Sequence, residues 1–187
     1  EKFKKDKLTG KALAEWKFGA GRGAQNVVFL TFGTGLGAGL ILNGELYCGA
    51  NNNAGEVGHI RLDRFGPVGY GKAGSFEGFC SGNGLAQLGY TMALEKIQTG
   101  TYPMYFQKGM TAKDVTAKTV ADAAKAGDET ALAVYRVCGE YLGNLIRVMA
   151  MLQQQIAQRA EHKTVSGLIS EHVISQLVYL MVQGIQW

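Results

Sequence analysis

Two residue types are scarce in this chain of 187 residues: there are only 2 prolines and 3 cysteines. The cysteines, Cys48, Cys80 and Cys138, are widely spaced and form no CxxC pair. An odd, sparse set of this kind argues against a disulfide framework and for free thiols in a reducing compartment. No apolar run approaches the roughly 18 residues that span a bilayer, so no membrane partner is expected. The first residues, EKFKKDKLTGK, are charged and lack the apolar core of a secretory signal, so a cytoplasmic location is expected. The excess positive charge is small, 19 Lys and Arg against 15 Asp and Glu, and part of it is the cluster Lys2, Lys4, Lys5, Lys7 and Lys11. Such a cluster reads as a solvated terminus rather than a nucleic-acid surface. What the chain has in abundance is glycine, 27 residues, mostly between residues 19 and 89. Tight turns and close backbone approaches are therefore concentrated in its first half.

Residues 12–17 read as the end of a helix that stops at Gly19 and Gly21. The run 26–32, NVVFLTF, is apolar and β-branched, as a buried strand requires. A second strand is expected over 38–42, and Asn43-Gly44 is a two-residue hairpin signal leading into a third over 45–48. Residues 49–58 read as irregular, 60–62 as a short strand, and the glycine-rich tract 66–74 as a loop. Helices are expected over 77–98, with a break at 82–84, and over 111–125, with Val115, Val120 and Ala124 on one side. Asp128 is placed to cap a long helix over 129–158. Along it Leu142, Leu145, Met149, Leu152 and Ile156 form a stripe suited to core packing, or equally to dimerisation. Gly139 and Gly143, four apart, would admit a close neighbour. Strands first and covering helices afterwards give an α/β or α+β domain whose sheet carries the site.

Two constellations carry chemistry. The turn Gly33-Thr34-Gly35-Leu36-Gly37 follows the buried strand, where glycines permit positive φ and let N–H groups converge on an anion, with the Thr34 hydroxyl adding a donor. It lacks the Lys-Ser/Thr of a Walker A loop and is followed by a strand, unlike a dinucleotide fingerprint; a purely structural hairpin is the competing reading. Glu56 and His59 come next: a carboxylate accepts hydrogen bonds from adjacent hydroxyls, and a neutral imidazole can donate one and accept another. Such a pair suits a sugar, against the plainer reading of a surface Glu and a structural His. Glu77 adds a third polar group at the start of a helix, where the macrodipole favours an acid in any case. No metal-ligand spacing links the cysteines to His59, and no nucleophile elbow is present.

In order along the chain, Ala12–Trp16 with Gly19-Ala20-Gly21, Val27–Gly39, Gly49–His59 ending in AGEVGH, and Glu77-x-x-x-Ser81-Gly82 resemble the ROK family of bacterial sugar kinases and repressors. The resemblance is specific over about residues 12–95 and weaker over 111–146, where it rests on helices and the YLGN of Tyr141–Asn144. It implies an actin-like ATPase (ribonuclease H-like) fold, α/β, with residues 1–187 forming a single domain like the family's C-terminal lobe and the N-terminal lobe not present. Gly33, Thr34, Gly35 and Gly37 would approach ATP phosphates, and Glu56, His59 and Glu77 would hydrogen-bond sugar hydroxyls. ATP with Mg²⁺ is the implied cofactor pair, sugar and nucleotide are the implied partners, and a homo-oligomer is expected. Val68, Tyr70 and Ser75 stand where many members have cysteines that bind structural zinc with the equivalent of His59. A zinc-free branch, with no metal site, is thus expected. The family's catalytic aspartate falls in register with Lys7, Asp6 being the one nearby carboxylate, so the catalytic residue is left unassigned and the chain alone is expected to be inactive or very weak. The usual triple-glycine strand is not seen after Leu152. The implied reaction is phosphorylation of a hexose or N-acetylhexosamine, as in a glucokinase. The alternatives are a sugar-responsive repressor that uses the same pocket for an inducer, and a non-catalytic oligomerising fragment.

Overall fold

The computed structural model describes residues 7–160, with side chains described over 10–152. Ile156, the last residue of the expected core stripe, and the region after Leu152, where the usual triple-glycine strand is not seen, lie outside the described side chains. Two compact units are formed, and each is treated by itself. The first comprises the chain up to Thr31, Gly37–Val57 and the chain from Asn144; the second comprises Phe32–Leu36 and Gly58–Gly143. Among the described residues no helix is long and apolar enough to cross a membrane.

In the first unit, α1 (Lys7–Phe18) ends as the Glu15 carbonyl accepts the N–H groups of Gly19 and Gly21 at 3.0 and 3.1 Å. Trp16 holds the following turn by donating its indole N–H to the Ala24 carbonyl at 2.8 Å. The strands β1 (Val27–Phe32), β2 (Leu36–Leu42) and β3 (Glu45–Tyr47) form one sheet in that order. β1 is buried at five of its six positions, as its continuous apolar run demands. β2 and β3 are antiparallel, with Leu42 opposite Glu45. Asn43 and Gly44 turn between them at φ 54° and 76°, the paired positive angles of a type I′ hairpin. Beyond β3 the chain returns along β2, where Ala38 donates its N–H to the Gly55 carbonyl at 2.8 Å. Only glycine fits at 55, since a Cβ there would collide with the Ala38 carbonyl oxygen.

The second unit departs from expectation in several places. The tract 66–74 is not all loop: β4 (Val68–Gly69) and β5 (Lys72–Ala73) form a small antiparallel hairpin. The hairpin is not legible in the sequence because its turn, Tyr70-Gly71, puts a tyrosine at φ 48° where Asn, Asp or Gly is the usual signal. Residues 60–62 form only a single bridge, Arg61 to Ser75. The helix expected from 77 is α2 (Phe76–Cys80) and α3 (Gly82–Gln98). The break falls at Ser81, whose extended backbone ends one helix while its hydroxyl accepts the Gly84 N–H to begin the next. The helix expected over 111–125 is likewise divided. A 3₁₀ turn (Ala112–Asp114) and α4 (Ala117–Lys125) each carry a capping box, at Thr111 and Thr116, because two successive caps both find backbone donors. Val115 and Val120 are buried as expected, but Ala121 and Ala123 join them while Ala124 is half-exposed.

The long helix α5 (Glu129–Ala160) starts where the spacing placed it. Asp128 Oδ1 accepts the Ala131 N–H at 2.8 Å and Oδ2 accepts the Met104 N–H at 2.7 Å, so one carboxylate caps the helix and pins the preceding loop. Along the expected stripe Leu145 is buried and Leu142 and Met149 are half-buried, but Leu152 is 53% exposed. Apart from its own helix, no described atom lies within 4 Å of a Cβ built on Gly139 or Gly143, so the space beside the pair is open and holds no close neighbour among the described residues. Cys80 and Cys138 are buried, and the Cys80 thiol donates to the Cys138 carbonyl at 3.5 Å, so the fold brings together two of the widely spaced cysteines. Tyr141 stacks on Phe79 with centroids 3.9 Å apart and donates its O–H to the Asp63 carboxylate.

Replacing Asp128 by alanine removes both acceptors, and a loss of about 1–2 kcal/mol is expected from urea unfolding midpoints, the range of a strong N-cap. An unchanged midpoint would show that neither bond holds in solution. The Asp63–Tyr141 bond predicts opposite pH limits. It holds the Asp63 carboxyl below its ordinary range, and this stabilisation is present above the unfolded carboxylate pKa and is lost as the pH falls through the lowered value. The same bond pushes the Tyr141 phenol up to about 12, and that contribution is full below the unfolded tyrosine value and is lost as the pH rises through about 12. Unfolding midpoints of the wild type should therefore fall more steeply on the alkaline side than those of Tyr141→Phe.

Candidate functional site

Glu77 is the second residue of α2, whose start is fixed by Ser75: the buried hydroxyl accepts the Gly78 N–H at 3.0 Å and donates to the Gly69 carbonyl at 3.2 Å. This places the Glu77 side chain against the turn after β1. Its Oε2 accepts the Leu36 N–H at 3.0 Å. Three glycines remote in sequence make room for it. A Cβ on Gly35 would stand 2.8 Å from Oε2, one on Gly58 3.3 Å from the Glu77 Cβ, and one on Gly69 2.8 Å from that same atom. At Gly35 the Glu77 carboxylate itself takes the space of a Cβ. At Gly58 and Gly69 the atoms nearest a Cβ are backbone, the Leu36 carbonyl oxygen and the Gly78 nitrogen, so these two glycines are required where the chain packs backbone to backbone beside Glu77.

The turn itself is exposed at Gly33, Thr34 and Gly35. It is tied to α3 by the Gly82 N–H, which donates to the Gly33 carbonyl at 2.8 Å. The positive φ that glycine permits is not used in this turn, since Gly33, Gly35 and Gly37 all lie outside the left-handed region. Their value is the missing side chain: Gly35 admits the Glu77 carboxylate, and nothing lies within 4 Å of a Cβ built on Gly33, leaving the backbone there approachable by a bulky anion.

His59 ends a 3₁₀ turn (Val57–His59), and its imidazole stacks on Tyr70 with centroids 4.0 Å apart and planes at 16°. The Lys72 ammonium donates to the His59 carbonyl at 3.1 Å. Glu56 is exposed and belongs to the first unit, where its N–H donates to the Asn53 carbonyl at 3.1 Å. Within the second unit the fold thus brings Glu77 onto Gly35 and Leu36, and His59 onto Tyr70. At the positions matched to zinc ligands, Val68 is exposed in β4, Tyr70 covers the imidazole and Ser75 caps α2. None of these three offers a thiolate. The sequence signals neither the role of Leu36 as a backbone donor nor the stacking by Tyr70. A backbone N–H carries no residue signature, and an aromatic in a glycine-rich tract reads as surface.

Comparison with known proteins sets this geometry in context. A sequence profile described as "ROK family" matches residues 3–177. Glucokinase of Halalkalibacterium halodurans is 38% identical over 141 residues, covering 74% of this chain and 42% of that protein. The DNA-binding transcriptional dual regulator NagC of Escherichia coli is 32% identical over 138 residues, 73% of this chain and 32% of the regulator. Among solved structures, a ROK family glucokinase from Streptomyces griseus in complex with glucose and AMPPNP superposes with a TM-score of 0.64 at 30% identity, over 78% of this chain and 46% of that one. The chain spans less than half the length of each of these relatives. The fold expected from the sequence is the fold found: mixed α/β, of the actin-like ATPase kind of its ROK neighbours.

The crowding around Glu77 yields a direct test. Gly35→Ala would push a methyl group onto Oε2 and displace the carboxylate from the Leu36 N–H, and a destabilisation of about 1–3 kcal/mol is expected, the loss of a hydrogen bond to a charged group. Gly33→Ala, with open space around it, should leave the unfolding midpoint near the wild-type value. Equal effects of the two substitutions would contradict the packing described.

Proposed function

The chain belongs to the ROK family, and from that premise we propose that it carries the sugar-binding and phosphate-binding residues of a hexose or N-acetylhexosamine kinase. One observation carries the reading: Glu77, a candidate partner of sugar hydroxyls, is hydrogen-bonded to the turn that would receive ATP phosphates. Phosphoryl transfer requires an acceptor hydroxyl in line with the terminal phosphate, and catalysis is chiefly positioning and charge stabilisation. A carboxylate fastened to the phosphate turn sets the two substrates in a fixed relation.

In this reading Gly33, Thr34, Gly35 and Gly37 face the phosphates. The open space beside Gly33 suits a phosphate group, which a side chain there would exclude. Mg²⁺ would arrive with the nucleotide and neutralise phosphate charge. Glu56, His59 and Glu77 take the sugar. Oε2 of Glu77 is engaged by the Leu36 N–H, but a carboxylate has about four acceptor sites in total, leaving others for hydroxyls. The imidazole can donate to one hydroxyl and accept from another. No residue of this chain is assigned as the base. Catalysis belongs to the whole protein, and this chain supplies binding groups. The likeness to the glucokinases favours glucose, and the likeness to NagC supports a second reading, in which the same residues hold an inducer sugar in a repressor.

Coupled ADP release across a panel of hexoses and N-acetylhexosamines, measured on this chain and on the full-length product of its gene, tests the proposal. Turnover by the full-length protein, with this chain inactive or very weak, is the expected result. No turnover in either, combined with operator DNA binding that sugar releases, would favour the repressor reading. In the active protein Glu77→Ala should weaken sugar binding by about ten- to a hundredfold, the loss of a charge-assisted hydrogen bond, and calorimetric titration would measure it. An unaltered dissociation constant would remove Glu77 from the sugar site.

A further inference from the structure

The hairpin β4–β5 has no role in the reading above, yet two of its consecutive residues meet both candidate sugar ligands of the second unit. Gly69 lies against the Glu77 Cβ, and Tyr70 stacks on the His59 imidazole. We propose that Tyr70 is a positioning residue for His59: its ring, carried by the β4–β5 turn, fixes the plane in which the imidazole meets a sugar hydroxyl. The proposal rests on the sugar-binding reading of His59 and names the element that orients it.

Three observations support it. Tyr70 stands at φ 48°, a left-handed conformation that is uncommon for a bulky residue and persists only where the surroundings impose it. Those surroundings are firm on both sides of the turn. Gln87 brackets Val68, accepting its N–H at 3.0 Å and donating to its carbonyl at 2.9 Å. The Ser75 hydroxyl donates to the Gly69 carbonyl at 3.2 Å, and the Gly74 N–H donates to the Pro67 carbonyl at 3.0 Å. Finally, the hairpin grips His59 twice, at the ring through Tyr70 and at the carbonyl through the Lys72 ammonium at 3.1 Å. An imidazole with one face covered and its backbone tethered has few orientations left, so its ring nitrogens are presented along fixed directions. Tyr70 itself is 74% exposed, so a core-packing role does not account for its ring being held there.

Proton NMR of the His59 ring in the ligand-free chain gives the first measurement. The wild type and Tyr70→Phe should both show upfield ring-current shifts, and Tyr70→Leu should lose them. His59 resonances without that shift in the wild type would overturn the proposal. Sugar titration of the full-length protein gives the second. Tyr70→Leu should weaken binding by about three- to tenfold, Tyr70→Phe should restore it, and in a His59→Ala background the Tyr70→Leu substitution should have no further effect. An equal loss in both backgrounds would mean that Tyr70 acts on the site without His59, and would overturn the positioning role. Failure of the wild type to bind any sugar would count against the proposed function, and the ring-current measurement would then decide the stack by itself.

Discussion

The hydrogen bond from the Leu36 N–H to the Glu77 carboxylate joins two segments 41 residues apart, and the second unit is arranged around it. A carboxylate brought so close to a backbone turn must be accommodated on every side, and the accommodation is made by glycine. Gly35 admits Oε2, while Gly58 and Gly69 admit the backbone of Leu36 and Gly78 beside the Glu77 Cβ. Each of these glycines directly precedes a residue of the candidate site or of its surroundings. Leu36 donates to Glu77, His59 presents an imidazole, and Tyr70 covers that imidazole. The glycines therefore set how closely the chemistry-bearing groups can gather.

The position of Glu77 depends in turn on a short helix that would be marginal in isolation. α2 has five residues, but Ser75 caps its start and Ser81 both closes it and opens α3. Gly84 belongs to the same arrangement, because a Cβ there would collide with the Gly78 carbonyl oxygen. Packing and capping together give this short element the fixity that a binding group requires. The turn after β1 is held from the same region, through the Gly82 N–H on the Gly33 carbonyl. The turn is thus held twice from this region, by a backbone bond from Gly82 and by the side-chain carboxylate of Glu77.

Much of this is legible in the sequence. The buried run Val27–Phe32, the Asn43-Gly44 hairpin and the Asp128 cap are readable because each depends on residues adjacent in the chain. Candidate residues such as His59 and Glu77 stand out by chemical type, and motif order points to the family. The hairpin at Tyr70-Gly71 escapes a sequence reading because tyrosine rarely takes a left-handed turn position, and only its stacking on His59 and the Gln87 bracket make sense of it. The division of the helix at Thr116 escapes it because Thr111 and Thr116 offer competing starts, and each is satisfied by its own backbone partner. The purpose of Gly35 reads as conformational freedom when it is a matter of space.

By itself the sequence determined the α/β class, the family and the identities of the candidate site residues. Strand and cap signals are local, and the chemistry of a side chain travels with its name. Tertiary structure alone decided that Glu77 is fastened to the glycine turn after β1, that Tyr70 lies on His59, and that Cys80 and Cys138 share a buried contact. Those pairings depend on how the chain returns on itself, and the missing Cβ of a glycine reveals its purpose only once the atom that takes its place is known.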